Sequence, residues 1–280
     1  MAGSAGDLAK RVAVALVGIP IVIGMAYLGG HWLATFLAAF AAVAAWEFCA
    51  MNRSRGVASF PWVASAGALA LVLLASSAGL EEFVVWAVLL GLAVGTPVVL
   101  LAPQSSKPAV AASVTSFAAL YTGGLLAFAV WLRAIGGGTG WRGVGILFLP
   151  IAVTWVGDSA AYFVGRAIGR HKLAPAISPN KTWEGAIAGF AATVGFGVLF
   201  VDFTRDWVGW ELSLWQILAL GGIVSIAGQL GDLVESRFKR DCGVKDSSNL
   251  IPGHGGFLDR IDSLLFAFPV TYAYLSVVGL

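Results

Sequence analysis

Charged residues are scarce in this 280-residue sequence. Lys and Arg number 17 and Asp and Glu number 15, so that only 11% of the residues carry a charge, whereas a soluble domain has about 25%. Hydrophobic residues make up 59% of the chain. Because so few polar residues cannot cover a water-facing surface, the composition excludes a soluble globular domain and predicts an integral membrane protein.

Cysteine and histidine are also too few for common scaffolds. Two cysteines cannot form a disulfide framework, and the three histidines show no zinc-type spacing. We interpret the thiols of Cys49 and Cys242 as unreactive packing or loop residues. The 36 glycines and 10 prolines have no Gly-X-Y period and fall below the share typical of low-complexity chains, which excludes collagen and a disordered chain.

Long apolar runs are abundant, and each is close to the roughly 20 residues that a transmembrane helix needs. The first run follows Lys10 and Arg11, but it is longer than the apolar part of a signal peptide, about 7–15 residues, so we predict a helix. The sequence therefore predicts an all-α, polytopic integral membrane protein with about nine transmembrane helices. The predicted spans are 11–29, 32–51, 60–78, 83–102, 109–132, 144–164, 184–202, 213–235 and 257–279.

The distribution of charge predicts the organisation of these spans. We expect residues 1–140 to form N-terminal transmembrane helices, and residues 141–280 to form a transmembrane region with two cytoplasmic loops. With nine spans, 14 of the Lys and Arg residues lie on the side of the N-terminus and 3 on the other. The positive-inside rule then places the N-terminus and the charged loops in the cytoplasm. We expect a multi-pass protein of the cell membrane whose charged loops face the cytoplasm.

Acidic residues inside the predicted spans indicate where a site lies. A charge at the centre of a membrane helix costs about 2.5–3.5 kcal/mol on insertion scales, so such residues usually have a function. Here they cluster late in the chain, in the sixth, eighth and ninth spans. They are Asp158, Asp232, Glu235, Asp259 and Asp262.

One helical face of the sixth span carries polar residues at one end and small residues at the other. Residues separated by four, three and four positions share a face, and here they are Asp158, Tyr162, Gly165 and Gly169. The two glycines are equally well explained as a helix-packing motif of small residues.

The segment Ser178–Thr182 reads Ser-Pro-Asn-Lys-Thr, which predicts a turn before a new helix. Lys181, Thr182 and Glu184 would then lie near a helix N-terminus, where phosphate binds readily. The alternative is that the basic residues of this region only set the topology at the membrane surface. Those residues are Arg166, Arg170, Lys172 and Lys181.

A second polar stretch runs from Gly231 to Ser263. Four of its residues share one face of the eighth span, and packing does not explain a stripe of two acids, a hydroxyl and a cation on a membrane helix. A glycine-rich turn at 252–256 follows, then Asp259 and Asp262, which are one helical turn apart. The residues of the stripe are Asp232, Glu235, Ser236 and Lys239.

Carboxylates on neighbouring helices, without matching thiols or imidazoles, predict a hard-oxygen site that suits Mg²⁺. Nearby cations suit phosphate. The structural alternative is that Asp232 and Asp259 form buried ion pairs with Arg237 and Arg260, which explains the charge balance but not the glycine-rich loop. His254 is either a phosphate contact or a loop residue, and the sequence leaves both open.

The run 236–262 resembles the signature of the phosphatidate cytidylyltransferases, S-x-x-K-R-x(4)-K-D followed by H-G-G-x-x-D-R-x-D. The segment from Asp158 to Gly185 is also similar to that family, whereas the first 140 residues match only in being multi-helical. Every charged position of the signature is met. These positions are Lys239, Arg240, Lys245, Asp246, His254, Asp259, Arg260 and Asp262.

The resemblance implies condensation of CTP with phosphatidate, giving CDP-diacylglycerol and pyrophosphate, by a homodimeric, metal-dependent membrane enzyme whose active site faces the cytoplasm. Residues 1–140 would then form a membrane and dimer scaffold, and residues 141–280 the catalytic region. The resemblance also implies Asp232 and Asp259 as ligands of Mg²⁺, with a second cation such as K⁺ sharing them. The expected partners are CTP, phosphatidate and membrane lipid. No nucleic-acid partner is expected. The expected catalytic residues are Lys239, Arg240, Lys245, Asp246, His254, Arg260 and Asp262, and the expected substrate-binding residues are Asp158, Tyr162, Arg166, Asn180, Lys181, Thr182, Glu184 and Ser236.

This reaction suits the residues because a phosphate monoester, with a second pKa of about 6, is already mostly dianionic at neutral pH. The obstacle is charge repulsion between two anions, which metals and Lys or Arg relieve. Within enzymes, the alternatives are a CTP-dependent polyprenol kinase and a cytidylyltransferase for an ether-lipid phosphate. A cation-coupled transporter is disfavoured because the charge is confined to one half of the chain rather than repeated. A non-catalytic scaffold would leave the glycine-histidine loop without a purpose.

Overall fold

The computed structural model describes residues 16, 18–104, 107–135, 140–250 and 255–279. Helices dominate these residues because long apolar runs satisfy their backbone hydrogen bonds internally as helices. The helices are α1 (Gly18–Leu28), α2 (Gly30–Ser54), α3 (Pro61–Leu74), α4 (Leu80–Leu101), α5 (Pro108–Ala119), a π-helical turn (Leu120–Gly124), α6 (Leu125–Ala134), α7 (Gly140–Ile168), α8 (Trp183–Val208), α9 (Leu214–Asp241) and α10 (Leu258–Val277).

Each predicted span overlaps one of these helices, and the prediction of an all-α, polytopic membrane fold is confirmed. Six spans are long and apolar enough to cross a membrane, namely α2, α4, α5 continued through the π-turn into α6, α7, α8 and α9. Among the described residues, α1 and α3 are shorter apolar helices, and α10 has 20 residues. The count of nine membrane crossings stays a prediction, and the start of the first span lies outside the described residues.

The contacts divide the chain into two compact units. The first comprises Met1–Val130 with Asp241–Ile261, and the second comprises Trp131–Arg240 with Asp262–Leu280. This division differs from the boundary that we expected at residue 140, because the loop after α9 and the first turn of α10 group with the N-terminal helices.

The first unit is held together by close approach of small residues. A stripe of alanines on α2, including Ala38 and Ala41, is fully buried, and α2 packs extensively against α3. The hydroxyl of Thr122 in the π-turn donates to the carbonyl of Ala41 over 3.1 Å. Small residues let membrane helices approach closely, which replaces the hydrophobic driving force that is missing in lipid.

The second unit is built around the contact between α7 and α8, which is also lined by small residues. A Cβ atom at Gly189 would lie 3.0 Å from the carbonyl oxygen of Gly157. A Cβ atom at Gly165 would lie 3.0 Å from the hydroxyl of Thr182, and one at Gly169 would lie 2.6 Å from it. The packing interpretation of Gly165 and Gly169 is therefore supported.

A short β-hairpin connects α7 to α8, and the sequence analysis did not predict it. Strands β1 (Lys172–Ala174) and β2 (Ser178–Thr182) are antiparallel. The turn that we expected at 178–182 is wrong, because these residues form β2. The actual turn is at 175–177, where the amide of Ile177 donates to the carbonyl of Ala174 over 3.0 Å. Proline is tolerated in a strand at a sheet edge, which explains Pro179 in this two-stranded sheet.

The two glycines of the π-helical turn, Gly123 and Gly124, provide a test of the close helix packing in the first unit. Replacing Gly123 by Ala would bring the new Cβ to 2.5 Å from the Cα of Ala68. Because backbone atoms cannot move aside easily, we expect Gly123→Ala to lower the free energy of unfolding by about 1–3 kcal/mol. The adjacent Gly124 has nothing within 4 Å of its Cβ position, so Gly124→Ala should unfold like the wild type. Thermal unfolding in detergent measures both, and equal stability of the two variants would contradict this packing.

Candidate active site

The second unit brings together acidic side chains from three helices. Asp158 comes from α7, Asp232 and Glu235 from α9, and Asp262 from α10. The charge of Asp158 interacts with those of Asp232 and Asp262, and the carboxyl of Asp262 interacts with those of Glu235 and Asp232. Within the second unit the structure therefore places Asp158, Asp232, Glu235 and Asp262 near one another.

Two lysines balance these acids. The ammonium of Lys181, on β2, lies 2.6 Å from Oδ2 of Asp232, and both side chains are partly buried. Lys239 lies one helical turn from Glu235, with 3.2 Å between Nζ and Oε2. Among the ion pairs of the described residues, the partner of Asp232 is thus Lys181 rather than Arg237. Pairing matters here because an uncompensated buried charge costs several kcal/mol.

The stripe on α9 is confirmed as a structural unit. The hydroxyl of Ser236 donates to Oδ1 of Asp232 over 3.2 Å, and Ser236 and Glu235 are buried. At the end of the same helix, Nε of Arg240 donates to the carbonyl of Ile177 over 3.2 Å. Arg240 therefore connects α9 to the hairpin turn.

The hairpin and the N-terminus of α8 hold several of the expected substrate-binding residues. Thr182 is the N-cap of α8, since its hydroxyl accepts the amide of Gly185 over 3.2 Å. This confirms that a helix begins directly after Thr182. Glu184 accepts the backbone amide of His171 over 3.2 and 3.3 Å and lies 2.6 Å from its Nδ1. Asn180 is exposed on β2.

Tyr162 and Arg166 lie on the exposed face of α7. Nη1 of Arg166 donates to the hydroxyl of Tyr162 over 3.0 Å. The two side chains are one helical turn apart, and this contact links two of the expected substrate-binding residues.

The first unit contains the other part of the signature. Oδ2 of Asp259 accepts hydrogen bonds from the amide of Ser247 over 2.9 Å, from the hydroxyl of Ser247 over 2.9 Å and from the amide of Gly256 over 2.8 Å. These donors fix the direction of the carboxylate. Lys245, Asp246 and Arg260 are exposed.

The two glycines after His254 have a steric reason. Gly255 has a φ of +79°, and a Cβ there would lie 2.8 Å from Oδ2 of Asp259. A Cβ at Gly256 would lie 2.7 Å from the carboxylate oxygens of Glu47. At Gly255 the positive φ favours glycine, and at both positions a side chain would collide with a carboxylate. His254 itself lies outside the described residues.

Glu47 is the residue that the sequence analysis missed. We placed the acids of the predicted spans late in the chain, yet α2 contains this glutamate with only 1% of its surface exposed. Its carboxylate accepts hydrogen bonds from the hydroxyls of Ser247 and Ser248 and from the amides of Phe257 and Leu258. The available signal was a single acid in an apolar span, which by itself indicates a site.

Cys242, which lies within the signature run 236–262, is buried and forms no disulfide. Burial, together with the charge of Asp241, raises its pKa, and Arg55 opposes the shift. A thiol with a raised pKa forms little thiolate, which agrees with our interpretation of Cys242 as unreactive.

The carboxylates fit a hard metal ion. Within the part of the chain that the structure describes, no three His, Cys, Asp or Glu side chains form a metal-holding group. Mg²⁺ typically binds through one or two carboxylates, with water and substrate phosphates completing its shell, rather than in an all-protein cage. Asp232 and Asp259, each oriented by hydrogen-bond donors within its own unit, are of this kind.

Comparison with known proteins gives a match along nearly the whole chain. A model of the cytidylyltransferase family matches residues 9–278. A phosphatidate cytidylyltransferase of Staphylococcus haemolyticus is 36% identical over 264 residues, which is 93% of this chain and 96% of the relative. Those of Haemophilus influenzae and Brucella suis are 44% identical over 139 residues (49% and 48% of the two chains) and 50% identical over 132 residues (47% of each).

The N-cap at Thr182 makes a testable contribution to stability. Replacing Thr182 by Ala removes the acceptor of the Gly185 amide, and the loss of such a cap costs about 0.5–2 kcal/mol. Thr182→Ser keeps the hydroxyl and should retain wild-type stability. Thermal unfolding in detergent distinguishes the two variants, and an alanine variant as stable as the serine variant would show that the cap is not required.

Proposed function

The chain belongs to the cytidylyltransferase family, and on this premise we propose that it condenses CTP with phosphatidate to give CDP-diacylglycerol and pyrophosphate. The observation that carries the proposal is the family match over residues 9–278. It is supported by the 36% identity to a phosphatidate cytidylyltransferase over 93% of the chain.

The reaction is a transfer at phosphorus. A phosphate oxygen of phosphatidate attacks the α-phosphorus of CTP and forms a new P–O bond. The bond from the α-phosphorus to the oxygen that bridges to the β-phosphate breaks, and pyrophosphate leaves with the electron pair. The attacking phosphate is already mostly dianionic at neutral pH, because its second pKa is about 6, so the step needs no strong general base. It needs two anions held in line and their charge neutralised.

We assign to Asp232 and Asp259 the role of holding Mg²⁺, with a second cation such as K⁺ sharing them. The donor chemistry supports this role, because both are oxygen ligands with fixed orientation. When bound, Mg²⁺ neutralises negative charge on the phosphates of the nucleotide. Asp246 and Asp262 support the ligands.

The basic residues neutralise the substrates. Lys181 and Asn180 contact nucleotide or lipid phosphate, and the ion pair of Lys181 with Asp232 keeps the ammonium next to a proposed metal ligand. In our proposal the hydroxyl of Ser236 orients Asp232. The cations that offset phosphate charge are Lys239, Arg240, Lys245 and Arg260.

The chain is a multi-pass membrane protein, and we propose the cell membrane as its location, with the site open to the cytoplasm. The excess of Lys and Arg on one side of the predicted spans supports this orientation. CTP then reaches the site from water and phosphatidate from the bilayer. We further propose that the enzyme is a homodimer, as the resemblance implies.

The purified protein, incubated with phosphatidate and each of the four nucleoside triphosphates, tests the reaction directly. We expect pyrophosphate and a CDP-lipid only when CTP, phosphatidate and Mg²⁺ are all present. Release of CDP with a phosphorylated polyprenol would instead identify a kinase, and an ether-lipid phosphate preferred over phosphatidate would change the substrate. No product with any lipid would contradict the proposal.

Asparagine substitutions test the metal ligands. Asp232→Asn and Asp259→Asn each remove a negative charge from a proposed ligand at nearly constant shape, so we expect turnover to fall by at least about 100-fold. Asp202→Asn is the matched control, because Asp202 is exposed and pairs only loosely with Arg205, at 3.8 Å. Product formation is measured together with thermal unfolding. An active, folded Asp259→Asn enzyme would contradict the assignment.

A further inference from the structure

Glu47 is a buried carboxylate with an unusually complete set of donors. It lies in α2 with 1% of its surface exposed. Oε2 accepts the hydroxyl of Ser247 over 3.0 Å and the amide of Leu258 over 2.8 Å. Oε1 accepts the hydroxyl of Ser248 over 2.5 Å and the amide of Phe257 over 3.0 Å. Four donors thus surround one side chain, all from the segment that carries the signature.

These contacts are long-range, joining residues that are 200 to 211 positions apart. A buried carboxylate without donors is strongly disfavoured, so Glu47 is tolerated in an apolar helix only while residues 247–248 and 257–258 donate to it. Conversely, the segment gains charge-assisted hydrogen bonds only while Glu47 is ionised and in place. The anchor and the segment therefore stabilise each other within the first unit.

The anchor reaches the proposed metal ligand through one hydroxyl. Oγ of Ser247 lies 3.0 Å from Oε2 of Glu47 and 2.9 Å from Oδ2 of Asp259, so the two carboxylates share its single proton. Phe257 and Leu258, whose amides donate hydrogen bonds to Glu47, directly precede Asp259 at the start of α10. The position of Asp259 is thus fixed from two sides by groups that Glu47 holds.

The glycine before this helix agrees with the same arrangement. A Cβ at Gly256 would lie 2.7 Å from both carboxylate oxygens of Glu47. A side chain there would displace the anchor, which gives the second glycine of the His-Gly-Gly motif a physical reason.

We propose that Glu47 is a positioning residue that orients Asp259, through Ser247 and the N-terminus of α10, for the reaction proposed above. The N-terminal helices then contribute to the active site as well as to the scaffold. The inference rests on the proposed function for its catalytic consequence, whereas the anchoring of the loop stands on the contacts alone.

The test compares Glu47→Gln with Glu82→Gln, the same change at an exposed residue of the N-terminal half. Gln has nearly the shape of Glu but carries no charge. Its amide NH₂ group would face the hydrogen-bond donors that surround the carboxylate of Glu47. We expect kcat to fall about 10–100-fold, as for other residues that orient metal ligands, and the half-saturating Mg²⁺ concentration to rise, with KM for phosphatidate unchanged. Glu82→Gln should behave like the wild type.

Amide hydrogen exchange in detergent supplies a readout that does not depend on activity. In Glu47→Gln we expect exchange of the peptide 245–261 to accelerate at least tenfold, with the remaining helices unchanged. Exchange that accelerates throughout the protein would show a general structural role and overturn the proposal, as would wild-type exchange with wild-type kcat. A wild type without CTP-dependent product would refute the proposed function and the catalytic part of this inference, while exchange would still decide whether Glu47 anchors the loop.

Two milder variants keep the proposal testable if Glu47→Gln fails to fold. Ser247→Ala removes a hydroxyl that contacts both Glu47 and Asp259, whereas Ser248→Ala removes one that contacts Glu47. We expect Ser247→Ala to raise the half-saturating Mg²⁺ concentration severalfold more than Ser248→Ala does. Equal, wild-type Mg²⁺ dependence in both variants would overturn the proposal.

Discussion

A carboxylate removed from water must find donors, and this constraint governs the described part of the molecule. In an apolar helical protein each unpaired acid would cost several kcal/mol. The structure offsets this unfavourable free energy in two ways. Lysines pair with Asp232 and Glu235, whereas amides and hydroxyls surround Glu47 and Asp259. The first arrangement leaves charge that can respond to a substrate, and the second fixes geometry.

The same constraint explains why the signature segment groups with the N-terminal helices. The loop after α9 is polar and glycine-rich, so it has little apolar surface with which to pack. Its amides and hydroxyls find their acceptors on Glu47 of α2 and on Asp259. The unit that contains α2 therefore includes residues 241–261. Helices that we expected to serve only as a scaffold therefore supply the carboxylate that hydrogen-bonds the signature segment, and small residues let these helices pack closely.

Local patterns predicted the helices and the acidic residues in the late spans, because hydropathy and helical spacing are properties of neighbouring residues. The stripe of Asp232, Glu235 and Ser236 on α9 was readable in this way. The hairpin at 172–182 was not, since turn-forming residues such as Pro179 also occur in a short edge strand. The hydrogen-bond partners of Glu47 could not be predicted from the sequence, because they lie 200 or more residues away along the chain. A single acid in an apolar run was the only local sign.

In this account the protein positions two anions and neutralises their charge, and the lipid phosphate itself makes the bond to phosphorus. The most direct measurement is the stereochemical course at the α-phosphorus, followed with a CTP analogue made chiral there by sulfur and an oxygen isotope. A single in-line attack by phosphatidate predicts inversion of configuration in the CDP-lipid product. Retention would indicate two displacements through a covalent nucleotidyl-enzyme and would contradict the account.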